Sequence, residues 1–237
     1  HKAGDAEVIA AGILMGLMFM GIFLGLSYQF IVITGEKQNR ITEVVISAIP
    51  PQIWIDGKII GIALLSLVSL ISTSLSVVLF MFISDLFGSG WTIPLKVMEP
   101  LLIIKLFFFA LGGFVFWNTF FSAIAATIND PNTSSRNSFL MIPTIPAVIG
   151  FLSLGDPNSI VVQIFSIFPI TSSAVISARM VLTHVPLWEI LLSFSLLILS
   201  TWYLRKLAGK IFATSILMYG KEPTWKEIFR WLKEKQK

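Results

Sequence analysis

Long apolar runs separated by short polar stretches organise this chain. The first extends from about Val8 to Ile33 without a charge. A bilayer core asks for about 20 apolar residues per helix, so residues 7–34 predict a membrane span. The run is too long for a signal-peptide core, and no small-residue cleavage site follows it. Comparable runs predict spans over 59–84, 101–128 and 186–205. Lys105 and Glu189 lie near the starts of the last two, where charged heads are expected to snorkel. The stretch 138–154 is shorter, is broken by Pro143 and Pro146, and is read as a fifth span. Within 156–184, the stretch Ile160 to Val181 is apolar but interrupted by Pro169 and the hydroxyl cluster Thr171–Ser173. At roughly 10 residues per half this stretch is too short to cross twice. It reads as an external re-entrant hairpin, whose backbone needs protein or water partners.

Composition agrees with that pattern. Of 237 residues, 55% are hydrophobic and 13% charged, against about 25% charged in a soluble domain. Twenty Phe and seven Trp exceed what a soluble core of this size buries. A soluble enzyme, a disordered chain and a disulfide scaffold are excluded. With no Cys and only His1 and His184, thiol nucleophiles and Cys/His metal sites are excluded too. Neither a catalytic residue nor a metal site is expected. The fold class is all-α: a polytopic helical membrane protein of five spans and a hairpin, forming a single transmembrane domain.

The few charges give an orientation. Lys37, Arg40 and Lys58 fall in 35–58, and Arg136 lies between the third and fourth spans. The tail adds Arg205, Lys206, Lys210, Lys221, Lys226, Arg230, Lys233, Lys235 and Lys237. With five spans all of these lie on one side, leaving Lys2, Lys96, Lys105 and Arg179 toward the other. Cytoplasmic loops carry the Lys/Arg excess, so the C-terminus is expected in the cytoplasm and the N-terminus outside. His1 is not a translation start, and a preceding helix is expected. In the tail, Pro223-Thr224-x-x-Glu227 opens a helix with a capping box. Trp225, Ile228, Phe229 and Leu232 form its apolar stripe, so 206–237 reads as a basic amphipathic segment on the inner leaflet, with no nucleic-acid partner.

In the first cytoplasmic loop, Ile41, Val44, Val45 and Ala48 recur at helical spacing. Glu36 and Arg40 are four apart, Arg40 and Glu43 three apart, which suits ion pairs on one helix. Pro50-Pro51 stops it. Two readings fit: a docking helix for a partner, or a solvated interfacial helix with snorkelling charges. In the first span, Gly12-x-x-x-Gly16 and Gly21-x-x-x-Gly25 allow close helix packing, either at a subunit interface or within the chain. The hydroxyls Ser66, Ser69, Ser72, Thr73, Ser74 and Ser76 either line a polar path or bond their own helix. Gln29 and Asn118 are expected to bond across helices. Arg179 is expected to pair with Asp156 or cap hairpin carbonyls, with substrate gating as the alternative.

Three ordered patterns carry a resemblance. Gly35-Glu36-Lys37-x-x-Arg40-x-x-Glu43-Val44, Ser47, Pro51 and Gly57-Lys58-Ile59-x-Gly61 are similar to a loop of ABC transporter permeases of the second exporter class, in particular the sodium-efflux branch. Phe168-Pro169-x-Thr171-Ser172 with Arg179 resembles that family's external segment, Ser173 standing where the family has a second proline. Lys210-Ile211-Phe212 through Tyr219-Gly220-Lys221 resembles its tail. The resemblance implies six helices in the full fold, with a large external domain between the first two. It implies a permease that moves substrate outward across the plasma membrane, alongside a second permease subunit in a homo- or heterodimer. A separate ATP-binding cassette subunit would hold ATP and Mg. The permease is then no enzyme by itself and binds no cofactor directly; consistently, neither Gly57-Lys58 nor Gly220-Lys221 completes a phosphate loop. Glu36, Lys37, Arg40, Ile41, Glu43 and Val44 would form the coupling helix that docks on the ATPase. Ile41, Val44 and Val45 are expected to pack on membrane-side elements. Pro169, Thr171, Ser172 and Arg179 would shape the external re-entrant segment. The substrate stays open among Na⁺, lipid, drug and peptide. A lipid-acting membrane enzyme and a non-ABC channel or scaffold subunit are the alternatives; Asp130 and Asp156, on opposite faces, do not suit the first.

Overall fold

The computed structural model of the chain describes residues 4–38, 41–86, 99–128, 139 and 141–216. They form eight helices: α1 (Asp5–Gln38), α2 (Ile41–Ala48), α3 (Pro51–Leu86), α4 (Pro100–Thr127), α5 (Thr144–Gly155), α6 (Ile160–Ile167), α7 (Pro169–Leu182) and α8 (Leu187–Ile216). The all-helical expectation holds among the described residues. Four helices, α1, α3, α4 and α8, are long and apolar enough to cross a membrane. The stretch 138–154, expected as a further span, contributes the 12-residue α5, about 18 Å long against a hydrocarbon core of about 30 Å.

The long helices outrun their apolar stretches. α1 continues through Glu36 and Lys37, α3 begins at Pro51, eight residues before the expected span, and α8 continues to Ile216. Thirty-four residues of α1 measure about 50 Å. Backbone hydrogen bonding does not stop at the membrane surface where apolar packing continues, as it does at Ala208, Ile211 and Phe212 of α8. The expected loop 35–58 is therefore almost wholly helical. The expected tail begins as a continuation of α8, and its capping-box helix at 223–232 lies outside the described residues.

Proline and side-chain oxygens set the shorter boundaries. Ser159 caps α6 by accepting from the Val162 N–H at 3.4 Å. Phe168 is extended (φ −70°, ψ 125°) and ends α6. Pro169 then opens α7, a position that needs no backbone N–H, while its ring blocks continuation of α6. Thr171 Oγ1 donates to the Phe165 and Phe168 carbonyls, and Ser172 Oγ to the Pro169 carbonyl at 3.3 Å. These hydroxyls supply the partners that a broken helix in an apolar surrounding requires.

α7 is the most enclosed element: every residue from Thr171 to Leu182 is buried. It packs against α1, α4, α5, α6 and α8. α4 and α8 lie side by side and run in the same direction, since Phe109 meets Phe194, Gly112 faces Leu197, and Ala126 meets Ser215. α5 runs opposite to α1, with Gly150 facing Met15 and Leu154 facing Gly12. α3 packs only through its first half. From Leu67 to Ile83 none of its described side chains is buried.

Candidate functional site

At one end of the bundle α1, α3, α4 and α8 converge, and α2 projects from between α1 and α3. Four sets of contacts hold that end. Lys37 is only 8% exposed. Its ammonium donates to the Ala126 and Ile128 carbonyls at the end of α4 and to Ser215 Oγ of α8 at 2.6 Å. A cation at a helix C-terminus meets carbonyls that have no partner within the helix. Glu36 pairs with Lys58 of α3. Lys58 also lies 5.2 Å from the ring centre of Trp54, and Trp54 stacks on Phe212 of α8 at 4.2 Å with the rings parallel to within 3°. Asp56 receives both Nε and Nη2 of Arg205 at 2.6 Å, while Gln52 donates to Asp56 at 3.0 Å and to the Arg205 carbonyl at 3.3 Å. Gly209 of α8 faces Gln52 so closely that a Cβ there would overlap it.

Against this clamp most of the described side chains of α2 are bare. Val44 is 72% exposed, and Ser47, Ala48, Ile49 and Pro50 are exposed with it, while Val45 packs on the core. Ser47 Oγ returns its proton to the Val44 carbonyl at 2.6 Å.

The expected docking residues thus divide. Val44 is on the open side rather than against the membrane-side elements. Ile41 and Glu43 begin α2, their side chains outside the described residues, as is Arg40. Glu36 is bonded to Lys58, 22 residues on, a pairing that spacing along one helix does not reveal. Lys37 departs furthest from the expectation: it points inward and ties three helices together.

The opposite end holds a second buried cation. Arg179 of α7 is 2% exposed. Its Nε donates to the Pro157 carbonyl at 2.9 Å; its Nη1 donates to Ser166 Oγ at 2.6 Å and Glu189 Oε2 at 2.7 Å. Ser193 Oγ donates to the Ser166 carbonyl at 2.8 Å. Capping of a hairpin carbonyl was the expectation, and Arg179 does cap one. Its acid is Glu189, however, not Asp156, which accepts from the Asn158 N–H. Glu189 is correspondingly buried rather than snorkelling, because an ionised carboxylate in this setting needs a matched cation more than it needs the surface.

Between the two ends, Gly21 and Gly25 pack within the chain. A Cβ at Gly21 would lie 2.7 Å from Phe114 Cζ, and one at Gly25 2.8 Å from Ser66 Oγ and 3.0 Å from Asn118 Oδ1. Gly12 sees Leu154 at ordinary distance, and Gly16 sees nothing within 4 Å. Gln29 donates to Asn118 Oδ1 at 3.4 Å, and Asn118 to the Phe114 carbonyl at 2.7 Å. Ser66, Ser69, Thr73 and Ser76 all donate to the carbonyl four residues back on α3. Sequence reasoning missed the Arg179–Glu189 and Asp56–Arg205 pairings and the Trp54–Phe212 stack. Charge at the edges of apolar runs marks members of both pairs; nothing in the sequence marks the stack.

Residues 4–205 match the family described as ABC-2 family transporter protein. Two curated proteins are similar. One is the uncharacterized protein MJ1024 of Methanocaldococcus jannaschii, 26% identical over 82% of this chain and 46% of its own length. The other is the uncharacterized protein YhaP of Bacillus subtilis, 22% identical over 91% of this chain and 53% of its own. The chain spans about half the length of both. No solved structure matches it.

Proposed function

This chain belongs to the ABC-2 family of transporter proteins, and from that membership we propose that it is the permease part of an ATP-driven exporter. In this proposal α2 is the coupling helix. It docks on a separate ATP-binding cassette subunit that holds ATP and Mg, in an assembly with a second permease subunit. The observation that carries the reading is the exposure of Val44, Ser47 and Ala48 on α2, set on a clamp that joins α1, α3, α4 and α8.

The clamp gives the coupling a physical route. A ligand shifts a conformational equilibrium only through contacts that differ between the two states. A push on α2 loads α1 and α3 directly, because only two residues of chain separate it from each. Glu36–Lys58 moves those two helices together, Trp54–Phe212 and Asp56–Arg205 carry the motion to α8, and Lys37 carries it to α4. Arg179 and Glu189 then hold α7 to α8 at the far end, and Pro169, Thr171 and Ser172 shape the break beside them.

The loop and hairpin patterns support placement in the sodium-efflux branch. Two observations support five crossings with the C-terminus in the cytoplasm of a plasma-membrane protein. α4 and α8 run in the same direction, so the chain between them changes sides. The Lys/Arg excess falls on the α2 side.

The test is Val44→Asp in the complex with the ATP-binding subunit. Assembly, or ATP-stimulated transport in proteoliposomes, is expected to fall at least tenfold while the permease remains folded. Unchanged assembly and transport overturn the docking role of α2.

A further inference from the structure

On the face of the bundle where α4 and α8 meet there is an open groove of about 320 Å³, floored by Gly112 and Leu197 and walled by Phe108, Val115, Ile198 and Trp202. The groove exists because α4 carries no side chain at 112. A Cβ there would lie 3.0 Å from Leu197 Cδ2, so the helices approach closely at this point. Thr201, its one hydroxyl, has given its proton to the Leu197 carbonyl at 2.7 Å, which leaves the indole N–H of Trp202 as the one side-chain donor of the lining, at the end nearest Lys206.

The groove has a charged end. Lys206, one turn beyond Trp202, lies with its ammonium 3.6 Å from the centre of the Trp202 ring. It is exposed, and among the described residues it makes no ion pair, in contrast to its neighbour Arg205, which is committed to Asp56. Tyr203 is exposed beside it. Tyr and Trp collect at membrane interfaces. From Leu187 to Lys206 the α8 axis covers about 29 Å, close to the thickness of the hydrocarbon core. Trp202 and Lys206 therefore sit at one membrane boundary, and the groove runs from there to Phe108 and Phe194 near mid-membrane.

We propose that this groove is a binding site for one anionic glycerophospholipid, with an acyl chain lying along Leu197 and Gly112 and the phosphate at Lys206. The groove has a dry wall at chain depth and a cation at headgroup depth, in the order that such a lipid presents them. Charge complementarity at Lys206 selects the anionic headgroup, and burial of methylenes against the Gly112 floor holds the tail. The site is independent of the docking role of α2.

The intact complex is extracted from nanodiscs of equal parts phosphatidylglycerol and phosphatidylcholine, and lipid retained per chain is counted by native mass spectrometry. Wild type is expected to keep about one phosphatidylglycerol. Ile198→Trp, which fills the groove from a lipid-facing position, is expected to reduce that at least tenfold. Lys206→Glu is expected to abolish the preference for phosphatidylglycerol over phosphatidylcholine. Equal retention by wild type and Ile198→Trp overturns the site. Because the chain has no native Cys, Ile198→Cys supplies a second readout. A disulfide between two copies at 198 in the membrane assigns the groove to a subunit contact and overturns the lipid proposal.

Discussion

Each end of this bundle is organised around a buried cation, and the two cations are matched differently. Lys37 reaches carbonyls at the end of α4 and a hydroxyl of α8. Arg179 reaches a carboxylate that is itself buried, together with a hydroxyl and one carbonyl. The first arrangement ties helix ends that already need donors. The second commits two charges to each other, so neither is tolerated alone. The α2 end is therefore built to stay connected while it is pushed. The α7 end is built to hold one arrangement.

The largest expected effect separates the two. Arg179→Met strands the Glu189 carboxylate and is expected to cost about 3–5 kcal/mol, read as unfolding in detergent micelles. Arg179→Met with Glu189→Leu is expected to recover most of that loss, because a buried pair replaced by apolar groups of similar volume is close to neutral. If the double variant is no more stable than the single, the matched-pair account of this end fails. Lys37→Met leaves helix-end carbonyls and Ser215 short of a donor and is expected to cost less, about 1–3 kcal/mol in the same assay. A Lys37 loss larger than the Arg179 loss would reverse the comparison. Arg205→Ala removes a half-exposed partner of Asp56 and is expected to change stability by about 1 kcal/mol or less. Val44→Asp, on the bare helix, is expected to stay within about 0.5 kcal/mol, so the loss of coupling it tests is not a loss of fold.

The elements were legible where one property decided them. Apolar length marked α1, α3, α4 and α8, and Pro169 after Phe168 marked the break between α6 and α7. Partners were not legible, because spacing rules reach three or four residues along one helix. That rule matches Glu36 to Arg40, which lies outside the described residues, and gives no sign of Lys58, to which Glu36 is bonded. The partners of Lys37 lie 89 and 178 residues away, and Arg205 lies 149 from Asp56. Glu189 looked like a surface-seeking charge because its distance from the helix start is visible in sequence and α7 beside it is not. Helix ends were misplaced for a related reason: hydropathy records where lipid stops, while Ala208 and Phe212 continue α8 by packing on protein. For the glycines, spacing marked all four, and the identity of the facing residue, Phe114 at Gly21 and Ser66 with Asn118 at Gly25, separated the tight positions from Gly12 and Gly16.

The hydroxyls of α3 have a consequence for the chemistry of its surface. A serine or threonine oxygen owns a single proton and two lone pairs. At Ser66, Ser69, Thr73 and Ser76 that proton is already spent on the helix itself. Of these, Ser69, Thr73 and Ser76 lie on the stretch of α3 from Leu67 to Ile83, where no described side chain is buried. Along it, these hydroxyls offer electron pairs to a hydrogen-bond donor or a cation and hold no proton for an anion.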